Sequence, residues 1–498
     1  MDSGFGSSTP HGTQVASIAA YGSLDRASQG EQVSAPFPIL SARVSENRSG
    51  QSVIVGNVVA QVEQALQWLH SEGARIAVVA FAYDNADDDP LPTELTVTLD
   101  RLAREYRMVL VVSAGNVREI GTQHWRDDYP HYLKSPSARI AAPGTAALAI
   151  TVGAVAARDA PYDTTLVGIA PRGHPSPFTR TGPTRGNRDG KTQKPELVAP
   201  GGNFGWKPSL SVPVSNDPSL GVITLTGRNT PMFAATTGTS FAAPFVAHEV
   251  AKIATRYPDA GPNLLRAITA LSAPPLEAGR VPNLEPSTQF AYGIPNADRV
   301  LESGQNRAIL VFEGLMDIGT RVIHELPIPR EFAQLVSGAE RRVRIVLSFD
   351  PPVKRSRRNY VAGRMKFDFV RNMTLTEVKR TWEQQPTVAE REGNPELPYD
   401  EMPNENKRPR TIPGVNTLSS NTLIRRDIST NTWREDDEHY FLVVSHDKSP
   451  WTASQLQEHP QQSYALAIEL VDEGRPELDL HGLAQARLTS RTRQRATR

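Results

Sequence analysis

The chain is 498 residues long, beyond the size of one ordinary domain, so two or three domains are expected. Its 54 Lys and Arg balance 54 Asp and Glu, which removes any global pull toward nucleic acid or an anionic membrane. The absence of cysteine excludes disulfides, thiolate catalysis and cysteine-based zinc sites.

In chain order, the first feature is Asp2-Ser3-Gly4, with only Met1 before it. Residues 1–20 hold neither a basic nor an apolar leader, and no run approaches the ~18 apolar residues of a membrane span, so a cytoplasmic protein is expected. His11-Gly12-Thr13-Gln14-Val15-Ala16 reads as the start of a helix. Val58, Val62, Leu66 and Leu69 fall on one helical face, as do Leu95, Leu99, Leu102 and Tyr106. Between these helices, the apolar run from Ala74 to Ala82 suits a strand buried on both faces. An acidic loop with Asp84, Asp87, Asp88 and Asp89 follows it; no calcium-ligand register is recognisable there, and a solvated loop is expected. Met108 to Ser113 and Leu148 to Gly153 are two further buried-strand runs. This alternation predicts a parallel α/β sheet with right-handed crossovers, whose sites form at the carboxyl ends of strands. Asn116, closing Ser113-Ala114-Gly115-Asn116, stands just beyond such an end.

Further on come Phe178-Thr179-Arg180-Thr181-Gly182-Pro183 and Lys194-Pro195-Glu196-Leu197-Val198-Ala199-Pro200-Gly201. Thr237-Gly238-Thr239-Ser240-Phe241-Ala242-Ala243-Pro244 then opens a small-residue, apolar run that reads as a long buried helix to Tyr257. A serine at such a helix start has its hydroxyl held in place, and the helix dipole favours negative charge developing beside it. Taken alone, Ser240 is a nucleophile or a small helix-start residue. His11 is a base or a loop residue, and Asn116 an oxyanion donor or a turn residue. His70, His124, His131 and His248 read as surface or packing residues.

After Gly304 the texture changes. Strand-like runs at Ala308, Arg342, Lys366, Tyr440 and Tyr464 are separated by Pro, Gly and Asn clusters, predicting a mostly antiparallel β-sandwich. Residues 384–422 are rich in Pro, Glu and Asn and predict a long exposed loop. Lys354-Arg355-Ser356-Arg357-Arg358 reads as a hairpin turn or a patch for an acidic partner. The resulting division is 1–304, α/β; 305–486, β-sandwich; and 487–498, a basic, disordered tail with five arginines.

The motifs together resemble the subtilisin-like serine proteases (subtilases). Gly238-Thr239-Ser240-Phe241-Ala242-Ala243-Pro244 is similar to the family's nucleophile motif, and His11-Gly12-Thr13 to its histidine motif. Ser113 to Asn116 is similar to its oxyanion segment, the two stretches between 178 and 201 to the region upstream of the serine, and Tyr292-Gly293-Ile294-Pro295-Asn296-Ala297 to the segment closing the catalytic domain. The resemblance covers roughly residues 1 to 300. It implies a bacterial, intracellular serine endopeptidase acting on proteins or peptides. Ser240 would be the nucleophile, His11 the base and later the acid, and Asn116 an oxyanion donor. Ser113, Ala114 and Gly115 would form one wall of the pocket for the residue before the cut, small enough to leave room for a sizeable side chain. No cofactor is implied beyond the calcium common in the family. An ATPase partner is a family-level association.

Two departures matter. The family's Ser-x-Gly on the cleft-lining strand is replaced by Phe81-Ala82-Tyr83. The family's catalytic aspartate ends a buried strand several tens of residues before the histidine, whereas Asp2 has only Met1 before it and eight residues separate it from His11. Either Asp2 completes the triad, or the aspartate strand lies upstream of residue 1. A second function follows from the same gap: a catalytically impaired relative that binds peptides or partners through the old cleft. The C-terminal domain is expected to gate the cleft or recruit partners.

Overall fold

The computed structural model describes residues 10–48, 51–87, 89, 91–121, 123–184, 192–274, 292–301, 304–334, 336–357, 360–383, 416–428, 439–448 and 458–487. The chain forms two compact units, Met1–Ala297 with Val353–Tyr360, and Asp298–Pro352 with Val361–Arg498.

In the first unit, helix α1 (His11–Tyr21) is followed by α2 (Val58–Ser71), β1 (Ile76–Val79), α3 (Glu94–Glu105), β2 (Val109–Ser113) and β3 (Ile150–Val155). Both predicted faces form helices, and each has a side-chain cap. Asn57 Oδ1 accepts from the Val59 and Ala60 N–H groups at 2.9 and 3.2 Å, and Thr93 Oγ1 from Thr96 N–H at 3.2 Å. With β4 (Leu197–Pro200), the strands make a parallel sheet in the order β1-β2-β3-β4. Every residue of β2 and β3 is buried, as expected of strands covered on both faces. One cover is α2 and α3, whose Val62, Leu66, Leu95, Leu99 and Leu102 pack with Ala77, Val79, Leu110 and Val112. After the hairpin β5 (Val222–Leu225) and β6 (Phe233–Thr236), the 18-residue helix α4 (Thr239–Arg256) packs against all four strands and against α1. Helix α5 (Pro262–Ser272) packs on α4. The segment from Tyr292 runs beside β4, its Tyr292 N–H bonding Glu196 O at 2.9 Å and Gly293 O accepting from Val198 N–H at 3.1 Å. Gly293 has φ +110°, and a Cβ there would stand 2.1 Å from Pro274 O, so no other residue fits.

Beneath the sheet lies an ionised cluster. Lys194 Nζ and Glu196 Oε1, both fully buried, are 2.5 Å apart. The ammonium also donates to Ala146 O (2.7 Å), Ala149 O (3.1 Å) and Thr151 Oγ1 (3.0 Å). Nearby, the buried Asp100 carboxylate accepts from Ala147 N–H, Leu148 N–H and the Tyr360 hydroxyl at 2.9, 2.7 and 2.8 Å. Burial pushes the Lys194 pKa down and that of Asp100 up, each against its bonding partners. The charges are tolerated because nearly every donor and acceptor is used.

The second unit is a β-sandwich. Its strands are β7 (Arg307–Asp317), β8 (Arg321–Leu326), β9 (Arg341–Phe349), β10 (Gly363–Arg371), β11 (Asn416–Ser419), β12 (Leu423–Ile428), β13 (Tyr440–Lys448) and β14 (Gln461–Asp472). One antiparallel sheet runs β7-β14-β9-β12-β11 and the other β8-β13-β10. Val343, Ile345, Leu347 and Phe349 meet Met365, Phe367, Phe369, Leu442 and Val444 in the core between them. Helix α6 (Leu375–Glu383) lays Val378 and Trp382 on Val370, Phe441 and Val443, on the other face of the smaller sheet. On the other face of the larger sheet, Arg344 pairs with Glu469 (2.8 Å) and Asp427 (3.1 Å) in neighbouring strands.

The basic stretch makes the expected turn: Lys354 N–H bonds Tyr360 O at 2.9 Å and Arg357 N–H bonds Lys354 O at 3.2 Å, while Arg355 Nε bonds Pro92 O at 3.1 Å; Arg358 lies outside the described residues. Two expectations change. Within the loop expected at 384–422, residues 416–419 form strand β11, and 384–415 lie outside the described residues. Of the tail expected from 487, Arg487 closes the helical stretch 480–487 and bonds Ile328 O; 488–498 lie outside the described residues.

Replacing Lys194 by Met should cost about 3–5 kcal/mol, since it leaves Glu196 buried and uncompensated, and adding Glu196→Gln should recover much of the loss. Urea unfolding of the three chains measures this; a double variant no more stable than the single one would show that the ion pair is not the cause.

Candidate active site

The site forms where β1 and β2 end and α4 begins. Beyond β2, Gly115 takes φ +91°, and a Cβ on it would lie 2.9 Å from Arg180 Cδ and 3.0 Å from Ala141 Cβ. Only glycine therefore allows the turn that delivers Asn116. Asn116 Oδ1 accepts two hydrogen bonds from Thr239, from N–H and from the hydroxyl, both at 3.0 Å. A backbone N–H can only donate, so the atom facing it is the amide oxygen. The Asn116 NH₂ group is thereby aimed elsewhere. It lies beside Gly238, Nδ2 being 3.4 Å from where a Cβ on that glycine would stand.

Ser240 is the second residue of α4, at the positive end of its dipole. Its hydroxyl donates to Ala80 O, one residue past β1, at 2.9 Å. Pro244 lacks an N–H, so the Ser240 carbonyl receives no helical bond from it, a gap tolerated in an opening turn.

His11 opens α1. Its ring sits 5.5 Å, centroid to centroid, from that of Phe241, the residue after the serine. Ile18 of α1 packs with Phe241 and Val222, fixing that helix on the site. Burial lowers the His11 pKa below the ordinary 6.5, because a charged imidazolium loses its hydration there. Among the described residues, none hydrogen-bonds the ring. Asp2 lies outside the described residues.

Ser113 and Ala114 are 1% and 0% exposed, and Gly115 is buried as well. The space beside Gly115 is filled by Arg180 Cδ, Ala141 Cβ and Ala82 Cβ. The acidic loop is only partly solvated. Asp84 pairs with Arg118 at the surface (2.9 Å), but Asp87 is buried and accepts the Thr145 hydroxyl at 2.5 Å. Asp88 lies outside the described residues, and among those described no three His, Asp or Glu side chains could hold a metal ion.

Three participants went unread in the sequence. Thr239 sits inside the nucleophile motif, yet its spelling does not show that it grips Asn116. Ala80 acts through a carbonyl every residue possesses. Arg180 was visible only as a long cation among small residues.

Ser240 stands at a helix start next to Thr239, which is bonded to the Asn116 amide at the end of a parallel-sheet strand, the setting of a hydrolase of the serine-protease class. The chain belongs to the subtilase family, whose model (Peptidase_S8) matches residues 2–294, and its substrates are proteins or peptides. It is 30% identical over 455 residues to a Sinorhizobium fredii (strain NBRC 101917 / NGR234) protein described as "Uncharacterized protein y4bN", spanning 87% of this chain and 99% of that one. Solved structures with similarity include a lanthipeptide protease at 18% identity, covering 59% of this chain and 75% of its own with a TM-score of 0.38. The prenylagaramide maturation protease PagA, also at 18% identity, covers 59% and 81% with a TM-score of 0.33. Among the described residues, no helix is long and apolar enough to cross a membrane.

If burial sets the His11 pKa, its NMR titration should have a midpoint below 6.5, and Phe241→Ala, by admitting water, should move it upward. The unfolded chain binds a proton at His11 more readily than the folded one, so this group's contribution to stability falls as pH drops below 6.5. A midpoint unmoved in the Phe241 variant would rule out burial by that ring as the cause.

Proposed function

We propose that the protein is a serine endopeptidase. The observation that carries this is the grip of Thr239 on Asn116 Oδ1, which leaves the asparagine NH₂ group free at the helix start where Ser240 stands. In the reaction, the Ser240 hydroxyl leaves Ala80 O, gives its proton to His11 and attacks the peptide carbonyl carbon. The carbonyl oxygen takes the negative charge and is met by the Ser240 N–H and Asn116 Nδ2, assisted by the dipole of α4. His11 then protonates the leaving amine, and water, deprotonated by the same ring, releases the acyl group. The lowered His11 pKa suits the first step, since only the unprotonated ring accepts a proton. The ring's other nitrogen calls for a carboxylate to fix its tautomer. That carboxylate is either one supplied from upstream of residue 1 or Asp2.

A fluorophosphonate probe, read by mass spectrometry, should modify Ser240 and leave the Ser240→Ala chain unlabelled. Asn116→Ala should slow labelling by about 10²–10³, and Asp2→Asn by up to about 10⁴ if Asp2 orients the ring. An unchanged rate in the Asp2 variant would assign the carboxylate elsewhere. Internal cuts in a protein substrate would establish endopeptidase action. A folded chain that takes no probe but still binds peptides would instead be the catalytically impaired binding module.

A further inference from the structure

We propose that Arg180 is a positioning residue, which holds the Asn116 amide in register with Ser240 and fixes the adjoining wall of the cleft; this rests on the serine-protease reading above. The residue is only 3% exposed. Its Nε donates to Asn116 O at 3.2 Å, Nη1 to Ser137 O and Arg139 O at 2.8 Å each, and Nη2 to Asp84 O. One planar fork thus binds carbonyls from three separate stretches of chain. They are the turn holding Asn116, the loop beyond β1 that begins at Ala80, and the short 3₁₀ turn Pro136–Ala138 with the residue after it.

The main chain at Arg180 adds to this. Arg180 N–H bonds Gly115 O at 3.2 Å, and Val117 N–H bonds Phe178 O at 2.7 Å. The peptides on either side of Asn116 are therefore held by this one strand-like stretch, and the Arg180 stem packs so close to Gly115 that no Cβ fits between them. A buried guanidinium is costly to desolvate, and an apolar side chain would fill the same volume. What an apolar residue lacks is the set of diverging donors. Lysine lacks them too, since its donors share a single atom. Arg180 thus reaches the site through Asn116, whose main-chain carbonyl it holds.

The test is a double-mutant cycle on the full chain. Wild type, Arg180→Lys, Asn116→Ala and the double variant are compared by the rate of fluorophosphonate labelling at Ser240, and by kcat and KM on a fluorogenic peptide that the wild type cleaves. Arg180→Lys should lower kcat at least about tenfold, with KM nearly unchanged, as expected when a group acts only in the transition state. The double variant should be no slower than Asn116→Ala alone, because Arg180 acts through Asn116. Multiplying losses, or an Arg180→Lys chain at wild-type rate, would overturn the proposal. Circular dichroism checks folding. If Arg180→Lys does not fold, Arg180→Gln takes its place in the cycle; loss of fold in both would make the residue structural and equally overturn the proposal. A wild type that is not labelled at Ser240 removes the serine-protease reading and this proposal with it. A labelled wild type with additive losses removes this proposal alone.

Discussion

The bond between Asn116 Oδ1 and Thr239 N–H joins the two halves of the site, and each half is meaningless without it. Asn116 stands at the carboxyl end of a buried strand, and Thr239 in the first turn of the helix that crosses the sheet on the opposite face. They are 123 residues apart in sequence. A free helix N-terminus has N–H groups without partners, and a turn after a strand has an amide able to point anywhere. One hydrogen bond satisfies the first and orients the second. The long burial of α4 against the four strands then turns a local bond of about 1 kcal/mol into a fixed geometry, because breaking it would require the helix to move.

The two units handle buried charge in a similar way. Lys194 and Glu196 under the parallel sheet, and Arg344 with Glu469 and Asp427 on the larger sheet of the sandwich, are ion pairs of almost no exposure. Such pairs do not raise stability greatly over a well-packed apolar core, but they penalise any arrangement that separates the partners. In the sandwich the partners lie directly opposite in adjacent strands, so a one-residue slip would place Arg344 in the apolar core. In the first unit the pair joins the segment leading into β4 to the backbone ahead of β3. That holds the edge against which the Tyr292 segment lies.

The fold was legible in the sequence wherever periodicity alone decides structure. Continuous apolar runs became β2 and β3, and the faces at Val58 and Leu95 became helices. The residues Ser240, His11 and Asn116 could be selected because small residues and glycine crowd around them. What stayed hidden depends on partners distant in sequence. Asp87 reads as one of a solvated cluster, yet it is buried because Thr145, 58 residues later, meets it. Nothing around Tyr360 in the sequence shows that its hydroxyl bonds Asp100, 260 residues earlier.

The arrangement of Ser240 and His11 bears on what limits the chemistry. The serine proton is directed at a backbone carbonyl, and the imidazole lies beside the Phe241 ring with its pKa lowered by burial. Turning the hydroxyl away from Ala80 breaks one neutral hydrogen bond, a cost of about 0.5–1.5 kcal/mol, or roughly tenfold in rate at most. A substrate carbonyl that occupies the Asn116 amide can offset this on arrival. An imidazole without a carboxylate to fix its tautomer is far costlier, at about 10⁴ in rate. The serine's resting contact is therefore a small matter, and the acid behind His11 is the larger one. Burial works against the imidazolium that must form during attack, and a carboxylate at the other ring nitrogen is the simplest group that restores its stability. The strength of such a site as a catalyst would thus depend less on the elements around Ser240 than on a carboxylate that orients His11.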